Sequence, residues 1–168
     1  PESLRAADHP VELLYYAGDW GLVSAPAVSV VGTRKPSKAG LMRAEKLVKW
    51  LVEHGFVIVS GLAAGIDTRA QESAIKYGGQ TIGVVGTPLD RFYPPGNEAL
   101  QGKLSKEYCL ISQVPFLRYD QEHFQARRNW FPRRNVTMAA LSQATIIVEA
   151  GESSGTITQA RAALKQGK

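Results

Sequence analysis

The amino-acid sequence predicts an α/β fold of the Rossmann-like, doubly wound type, with a mostly parallel sheet and helices on both faces. Short β-branched apolar runs alternate with longer segments whose apolar residues recur every three or four positions. Loops rich in glycine and hydroxyl side chains follow several of these runs. The chain has 168 residues, 44% of them hydrophobic and 21% charged, which suits one domain with a substantial core.

Five short apolar runs are the predicted strands. They cover residues 28–31, 56–60, 81–85, 109–112 and 145–148. Strands that are apolar on both sides are typical of a parallel sheet covered by helices on both faces. We therefore expect all five to lie inside one sheet.

Four segments between and after these strands are predicted to be helical. In residues 38–54 the apolar residues form one stripe, and Gly55 ends the helix. Asp67 is expected to cap a helix that runs to about Lys76, because its carboxylate can accept from the free amides of the first turn. A short helix over residues 137–141 and a helix from residue 155 onwards cover the sheet.

The two ends of the chain receive separate interpretations. Residues 1–27 contain an apolar stretch and a Gly-Asp-Trp-Gly turn, so we expect a lead-in segment packed on the domain edge. Residues 28–168 are expected to form the domain itself. A doubly wound sheet commonly continues with a further strand after its last helix, so we expect Lys168 to end a fragment.

Charge and residue usage narrow the possible functions. The net charge of +5 favours an anionic partner. Cys109 lies in an apolar run and is expected to be a small buried residue. His9, His54 and His123 lack the spacing of metal ligands, so no metal and no cofactor is expected. Without a signal segment or an apolar run of about 20 residues, we expect a cytoplasmic protein with no membrane anchor.

Loops after the strands are the expected binding site, because ligands of open parallel sheets bind beyond the carboxyl ends of the strands. Small residues there are expected to leave backbone amides free for phosphate at helix N-termini. The residues are Gly32, Thr33 and Arg34 after the first strand, Ser60, Gly61 and Gly65 after the second, and Ser154, Gly155 and Thr156 after the fifth. The dinucleotide fingerprint and the Walker lysine motif do not occur, so a bound dinucleotide or nucleoside triphosphate is not expected.

Two further segments combine cations with aromatic side chains. Arg91 and Phe92 follow the third strand, and residues 124–135 contain four arginines and three aromatic residues in a predicted loop. Arginine binds phosphate with two parallel hydrogen bonds, and aromatic rings stack on unpaired bases. This combination favours a single-stranded nucleic acid over a duplex.

An ordered series of motifs resembles the central domain of the DprA, or Smf, family of DNA-processing proteins. The motifs are Leu-Leu-Tyr-Tyr-Ala-Gly-Asp at 13–19, Val-Val-Gly-Thr-Arg at 30–34, Val-Ser-Gly-Leu-Ala-Ala-Gly-Ile-Asp at 59–67, Tyr-Pro-Pro-Gly-Asn at 93–97, Phe-Pro-Arg-Arg-Asn at 131–135, and Val-Glu-Ala with Ser-Gly-Thr at 148–156. Departures at Gln71, Gln113 and Val136, where the family usually has His, Glu and Arg, identify the chain as a divergent member. The family's usual last strand and its winged-helix domain are not in this sequence.

The resemblance implies a Rossmann-like domain that binds single-stranded DNA in a basic pocket, forms a homodimer, and helps to load a RecA-type recombinase during natural transformation and DNA recombination. By motif position, it implies phosphate binding by Gly32, Thr33, Arg34, Ser60, Gly61 and Gly65, and a pocket lined by Arg133, Arg134 and Asn135. The assignment of Arg91 and Phe92 to the site does not come from the resemblance; it is based only on the charge of Arg91 and the ability of Phe92 to stack on a base. No catalytic residue is expected, because Asp67 is explained as a cap and Glu149 has no recognisable partner.

Two other functions stay open at this point. The LOG phosphoribohydrolases share this fold and use a Gly-Gly-x-Gly-Thr-x-x-Glu signature, whereas residues 152–159 lack the glycine pair and end in Gln159, which cannot act as a general base. A sensor domain that closes the same loops around a small nucleotide-derived ligand is the second alternative. The four arginines of residues 124–135 favour a polymer, so the leading prediction is a single-stranded-DNA-binding protein without enzymatic activity.

Overall fold

Six strands form one mixed sheet in the computed structural model, which describes residues 2–5, 11–151 and 155–168. The strands are β1 (Tyr15–Gly18), β2 (Ala27–Val31), β3 (Val57–Ser60), β4 (Thr81–Val85), β5 (Cys109–Ser112) and β6 (Ala144–Ile147). Their order across the sheet is β1-β5-β4-β3-β2-β6. All neighbours are parallel except β1, which lies antiparallel to β5. The predicted α/β class with a mostly parallel sheet is confirmed.

Helices cover both faces of this sheet. They are α1 (Glu2–Arg5), α2 (Lys38–Glu53), α3 (Ile66–Lys76), α4 (Glu98–Glu107), α5 (Phe116–Gln121), α6 (Phe124–Arg127), α7 (Trp130–Leu141) and α8 (Gly155–Lys165), with short 3-10 turns at Trp20–Ser24 and Pro95–Asn97. Ile58 of β3 packs with Val48 of α2, whereas its neighbours Val57 and Val59 pack with Met138 of α7. Alternate side chains of β3 therefore pack into two different cores, one on each face of the sheet. This agrees with the prediction of strands that are apolar on both sides.

All five predicted strands agree with the structure to within one residue at each end. The predicted lead-in contributes more than expected, because residues 15–18 become β1 at the edge of the sheet. Helix α4 had no counterpart in the prediction. Its sequence, EALQGKLSKE, offers only Leu100 and Leu104 as large apolar residues, which is too short a stripe to recognise.

The arginine-rich segment, predicted to be a loop, is mostly helical. Helix α7 begins at Trp130 rather than at Thr137, and α6 precedes it. Pro132 is the third residue of α7, and in the first turn of a helix a missing amide hydrogen removes no hydrogen bond. The prediction of a loop over this whole segment was therefore wrong.

Three sequence expectations bear on metals, thiols and membranes. Cys109 is completely buried in β5, as predicted. Within the described ranges, no three His, Cys, Asp or Glu side chains come together to hold a metal ion; His9 lies outside these ranges. None of the described helices has the length and apolar character needed to span a bilayer.

Candidate nucleic-acid interface

Two adjoining clefts open beyond the carboxyl ends of the parallel strands. The β3–β4 cleft, beside the loops that follow β3 and β4, has a volume of about 160 Å³. The β2–β6 cleft, beside the loops that follow β2 and β6, has a volume of about 540 Å³. Arg34, Ala63, Phe131 and Arg134 line both. The two clefts thus meet along one shared wall.

The β2–β6 cleft lies where the order of the sheet reverses. From β2 the chain builds the sheet in one direction as far as β5, and then places β6 on the opposite side of β2. Loops on the two sides of such a point diverge and leave a crevice between them. The position that the sequence analysis expected for a ligand is therefore an open cleft.

The carboxylate of Asp67 accepts a hydrogen bond from a backbone amide that was predicted to be free for phosphate. The amide of Gly61 donates to Asp67 Oδ2 at 3.2 Å, and the nearby amides of Gly32 and Ala63 act to lower the pKa of the same carboxyl. Asp67 is only 4% exposed. The amide of Gly61 is consequently unavailable, so an anion at this loop must rely on side chains instead.

This use of Asp67 also corrects its predicted role as a helix cap. The N-cap of α3 is Gly65, which makes no side-chain capping bond, and Asp67 is the second residue of the helix. Gly65 has a φ of 89°, and a Cβ at this position would lie 2.5 Å from the carbonyl oxygen of Thr33. Its role is therefore to let the loops after β2 and β3 approach each other closely.

Arg134 is buried and its hydrogen bonds are internal. Its Nη1 donates to the carbonyl oxygens of Gly61 and of Val84, the latter at 2.9 Å, and its Nε donates to Asn135 Oδ1 at 3.0 Å. Burial lowers the pKa of the Arg134 guanidinium, and the nearby Asp67 carboxylate opposes that shift. Arg134 therefore joins the ends of β3 and β4 and forms part of the cleft wall.

Glu149, which had no recognisable partner in the sequence, anchors the loop that carries Arg34. Its carboxylate accepts from the amide of Ser37 at 3.0 Å and from Ser37 Oγ at 2.7 Å. Its carbonyl oxygen accepts from the amide of Thr33 at 2.7 Å. The bonds from Ser37 lower the pKa of the Glu149 carboxyl. The pair was not predictable because 112 residues separate the two partners.

Three exposed cations line the β2–β6 cleft: Arg34, Lys35 and Arg128. None of them forms an ion pair with any residue that the structure describes. By contrast, Arg91 pairs with Asp120 at 3.2 Å. The cleft thus concentrates uncompensated positive charge, which attracts an anionic ligand.

An aromatic pair lines the β3–β4 cleft. The rings of Tyr93 and Phe131 have centroids 5.4 Å apart and planes at 53°. The neighbouring Phe92, which was predicted from the sequence to stack on a base, is exposed but lines neither cleft. Tyr93 was present in the Tyr-Pro-Pro-Gly-Asn motif, and that motif was the signal for it.

Several predicted site residues lie elsewhere. Ser60 is completely buried and donates to the carbonyl oxygen of Val30 at 2.7 Å. Arg133 lies over the ring of Trp130 at 5.0 Å and lines a separate groove. Arg91 lines neither of the two clefts. These placements leave Arg34 as the predicted cation with free access to both clefts.

Other predicted residues do line the clefts. Gly32, Thr33, Asn135, Gly155 and Thr156 line the β2–β6 cleft, and Gly61 lines the β3–β4 cleft. Ser154 lies outside the described residues. Most of the predicted loops therefore line a cleft, whereas several of the individual predicted side chains do not.

Comparisons with known proteins agree on one family. The model of the family described as DNA recombination-mediator protein A matches residues 1–168. The chain is 40% identical over 161 residues to DNA processing protein DprA of Streptococcus pneumoniae, covering 96% of this chain and 54% of that protein. It is 34% identical over 169 residues to DNA processing protein DprA of Bacillus subtilis, covering 100% and 55%. The chain thus spans about half the length of these relatives.

Solved structures give the same relationship. The crystal structure of DNA processing protein A from S. pneumoniae matches with a TM-score of 0.88 and 36% identity, covering 100% of this chain and 57% of that one. The DNA processing protein A from Helicobacter pylori, whose structure concerns its single-stranded DNA binding mode, matches with a TM-score of 0.86 and 32% identity, covering 100% and 74%. A molybdenum cofactor carrier protein from Chlamydomonas reinhardtii, at 22% identity and a TM-score of 0.57 over 86% of this chain and 73% of its own, shares the fold alone.

Proposed function

The chain belongs to the DNA recombination-mediator protein A family, and on that basis we propose that it binds single-stranded DNA across the two clefts in support of DNA processing. The observation that carries the proposal is the position of Arg34. It lines both clefts and has no ion-pair partner among the described residues. Beside it, Phe131 also lines both clefts. A cation and an aromatic ring therefore share the wall along which a strand would run.

Different side chains in the two clefts suit the phosphates and the bases of a single strand. Arg34, Lys35 and Arg128 can bind successive phosphates, since arginine and lysine are the side chains that neutralise a nucleic-acid backbone. Tyr93 and Phe131 offer ring surface to unstacked bases. A duplex keeps its base faces stacked inside the helix, so this arrangement favours a single strand.

We propose that the chain acts by binding rather than by catalysis. Asp67 is the only carboxylate among the described residues that line the two clefts, and it already accepts from backbone amides. Gln159, at the position of the LOG catalytic glutamate, cannot accept a proton as a general base. These features disfavour the hydrolase alternative, and the family match does not favour a nucleotide sensor.

The wider roles of the family are part of the same proposal. By family membership, we infer that the whole protein forms a homodimer and loads a RecA-type recombinase onto single strands during natural transformation, in the cytoplasm. The chain spans about half the length of these relatives, so these activities are proposed from the family alone.

Fluorescence anisotropy tests the binding proposal directly. Labelled poly-dT and a duplex of equal length are titrated with the protein at several salt concentrations. We expect tighter binding to the single strand, with log affinity falling by about 0.7 per phosphate contacted for each tenfold rise in salt. Arg34→Ala should weaken binding and reduce this slope, whereas Lys46→Ala, an exposed lysine of α2 outside both clefts, should change neither. Absence of binding to both ligands at low salt would refute the proposal.

A further inference from the structure

A third groove lies beyond the carboxyl end of β5 and shares no lining residue with the two clefts. This β5 groove has a volume of about 570 Å³, and Gln113, which follows β5, lines it together with Leu13. Helix α7 contributes to both regions, since Phe131 lines the two clefts whereas Trp130 and Arg133 line the β5 groove. Successive residues of a helix point about 100° apart, so one helix can serve two surfaces. A ligand in the β5 groove therefore leaves the clefts free for a strand.

Two arginines lie against the ring of Trp130 in the β5 groove. The guanidinium of Arg118 lies 5.6 Å from the ring centroid, and that of Arg133 lies 5.0 Å from it. The indole is only 7% exposed, and its Nε1 donates to Glu122 Oε2 at 2.7 Å. Trp130 consequently has little ring surface on which a nucleic-acid base could stack, unlike the aromatic pair of the β3–β4 cleft.

The β5 groove carries charges of both signs. Arg118 is paired, because its Nε donates to Glu122 Oε1 at 2.8 Å. Arg133 is exposed and forms no ion pair with any residue that the structure describes. Glu12 lines the same groove as an exposed carboxylate. A nucleic-acid backbone carries a phosphate at every unit and is repelled by Glu12, whereas a peptide can direct a carboxylate to Arg133 and N–H groups to Glu12.

The remaining walls of the groove offer an acceptor and an apolar surface. Gln113 Oε1 is buried without a hydrogen-bond donor, which is unfavourable because folding removes the oxygen from water and returns no bond. Rotation of this amide presents the oxygen to an N–H group of a ligand. Leu13 and Val136 supply aliphatic surface, and Leu13 is 58% exposed. The groove therefore suits a ligand that combines an anionic group, an N–H donor and an apolar side chain.

We propose that the β5 groove binds a short acidic peptide segment of a partner protein. A carboxylate of the peptide pairs with Arg133, a backbone N–H donates to Gln113 Oε1, and an apolar side chain packs on Leu13 and Val136. A peptide carries all three groups within a few residues, and its backbone supplies the donor whatever its sequence. The proposal goes beyond single-strand binding, because it assigns another face of α7 to a protein partner.

The chain contains matched controls outside the groove. Arg43 and Met42 are an exposed arginine and an exposed apolar residue of α2, and they line neither the β5 groove nor the two clefts. Arg133→Ala is therefore compared with Arg43→Ala, and Leu13→Ser with Met42→Ser. Gln113→Glu keeps the size of the side chain and introduces a carboxylate that repels an acidic peptide.

An array of hexapeptides tests the proposal. The first set combines Asp or Glu with Leu or Phe in a background of Ala; a second set has Lys in place of the acidic residue, and a third has Ser in place of the apolar one. We expect binding to members of the first set and to neither of the others. Absence of binding to every acidic hexapeptide at millimolar concentration would overturn the proposal.

Fluorescence anisotropy with the tightest labelled hexapeptide then locates its site. Arg133→Ala, Gln113→Glu and Leu13→Ser should each weaken binding about threefold to tenfold, the range expected for the loss of one hydrogen bond or a comparable contact. Arg43→Ala and Met42→Ser should leave the affinity unchanged. Equal losses in the groove variants and in their controls would place the peptide elsewhere and overturn the proposal.

Competition with poly-dT separates this proposal from the proposed function. Saturating poly-dT should leave the peptide bound, and Leu13→Ser should bind poly-dT as tightly as the wild type. Displacement of the peptide by poly-dT would show that the groove belongs to the path of the strand and would overturn the docking proposal. A protein that binds poly-dT but no acidic peptide refutes the docking proposal and leaves the proposed function intact. A protein that binds the peptide but not poly-dT does the reverse.

Discussion

Asp67 and Arg134 bind the two ends of the same residue, Gly61. Asp67 Oδ2 accepts from the Gly61 amide at 3.2 Å, and Arg134 Nη1 donates to the Gly61 carbonyl oxygen. A Cβ on Gly61 would lie 1.9 Å from Arg134 Nη1, so only glycine leaves room for this contact. The two charged side chains thus hold the loop after β3 in place from inside the protein.

The first prediction separates structural from ligand-binding arginines. Arg134→Ala should lower the free energy of unfolding by about 3 to 5 kcal/mol, because it leaves two carbonyl oxygens and the buried Asp67 charge without their partner. Arg133→Ala, at the neighbouring exposed residue over Trp130, should cost only about 0.5 to 1 kcal/mol. Urea denaturation measures both. Similar losses in the two variants would contradict the structural role of Arg134.

The second prediction concerns the pH dependence that Asp67 contributes. Burial raises the pKa of the Asp67 carboxyl above its ordinary value, although Arg134 and three backbone amides oppose the shift. A raised pKa in the folded state means that the stability contribution is complete below the unfolded-state pKa, near 3.8, and is lost as pH rises through the folded-state pKa.

Asp67→Asn removes this titration and serves as its reference. The unfolding free energy of the wild type minus that of Asp67→Asn should therefore decrease as pH rises from 4 upwards, as measured by urea denaturation at a series of pH values. A difference that stays constant or increases over this range would show that folding does not raise the pKa of the Asp67 carboxyl.

The third prediction compares two phenylalanines near the clefts. Phe131→Leu keeps an apolar side chain but removes the ring that faces both clefts, so single-strand affinity should fall about tenfold, as expected for one lost base stack. The salt dependence should not change, because no charge is removed. Phe92→Leu, in a residue outside both clefts, should have a smaller effect in the same anisotropy assay. A larger effect at Phe92 would indicate that the strand binds near Arg91 and Phe92, as the sequence predicted, and not at Phe131.

The fourth prediction concerns the reactivity of Cys109. Burial raises the pKa of its thiol to about 12, and Asp19 adds a smaller effect in the same direction. Because the thiolate is the reactive form, Ellman's reagent at pH 8 should modify the folded protein very slowly and the protein in guanidinium chloride quickly. Stoichiometric reaction of the folded protein within minutes would mean that β5 opens readily to solvent.

Much of the fold was readable from the sequence, because the signals that specify it are local. The residues of β3 alternate between two apolar cores, and the apolar stripe of α2 repeats every three to four residues. Both patterns lie within one short segment, so neither needs knowledge of distant residues. The start of α7 was missed because Pro132 signals a chain break on average but is harmless in the first turn of a helix.

The sequence by itself determined the α/β class, the positions of five of the six strands, and the loops that line the candidate site. Only the tertiary structure decided which groups in those loops remain free for a ligand. Arg133 and Arg134 are adjacent in the sequence, yet one is exposed and the other is buried against Gly61, 73 residues away. The amide of Gly61 donates to Asp67, while Arg34 has no ion-pair partner among the described residues. Such pairings depend on how distant segments meet in three dimensions, and residue type and spacing along the chain do not specify them.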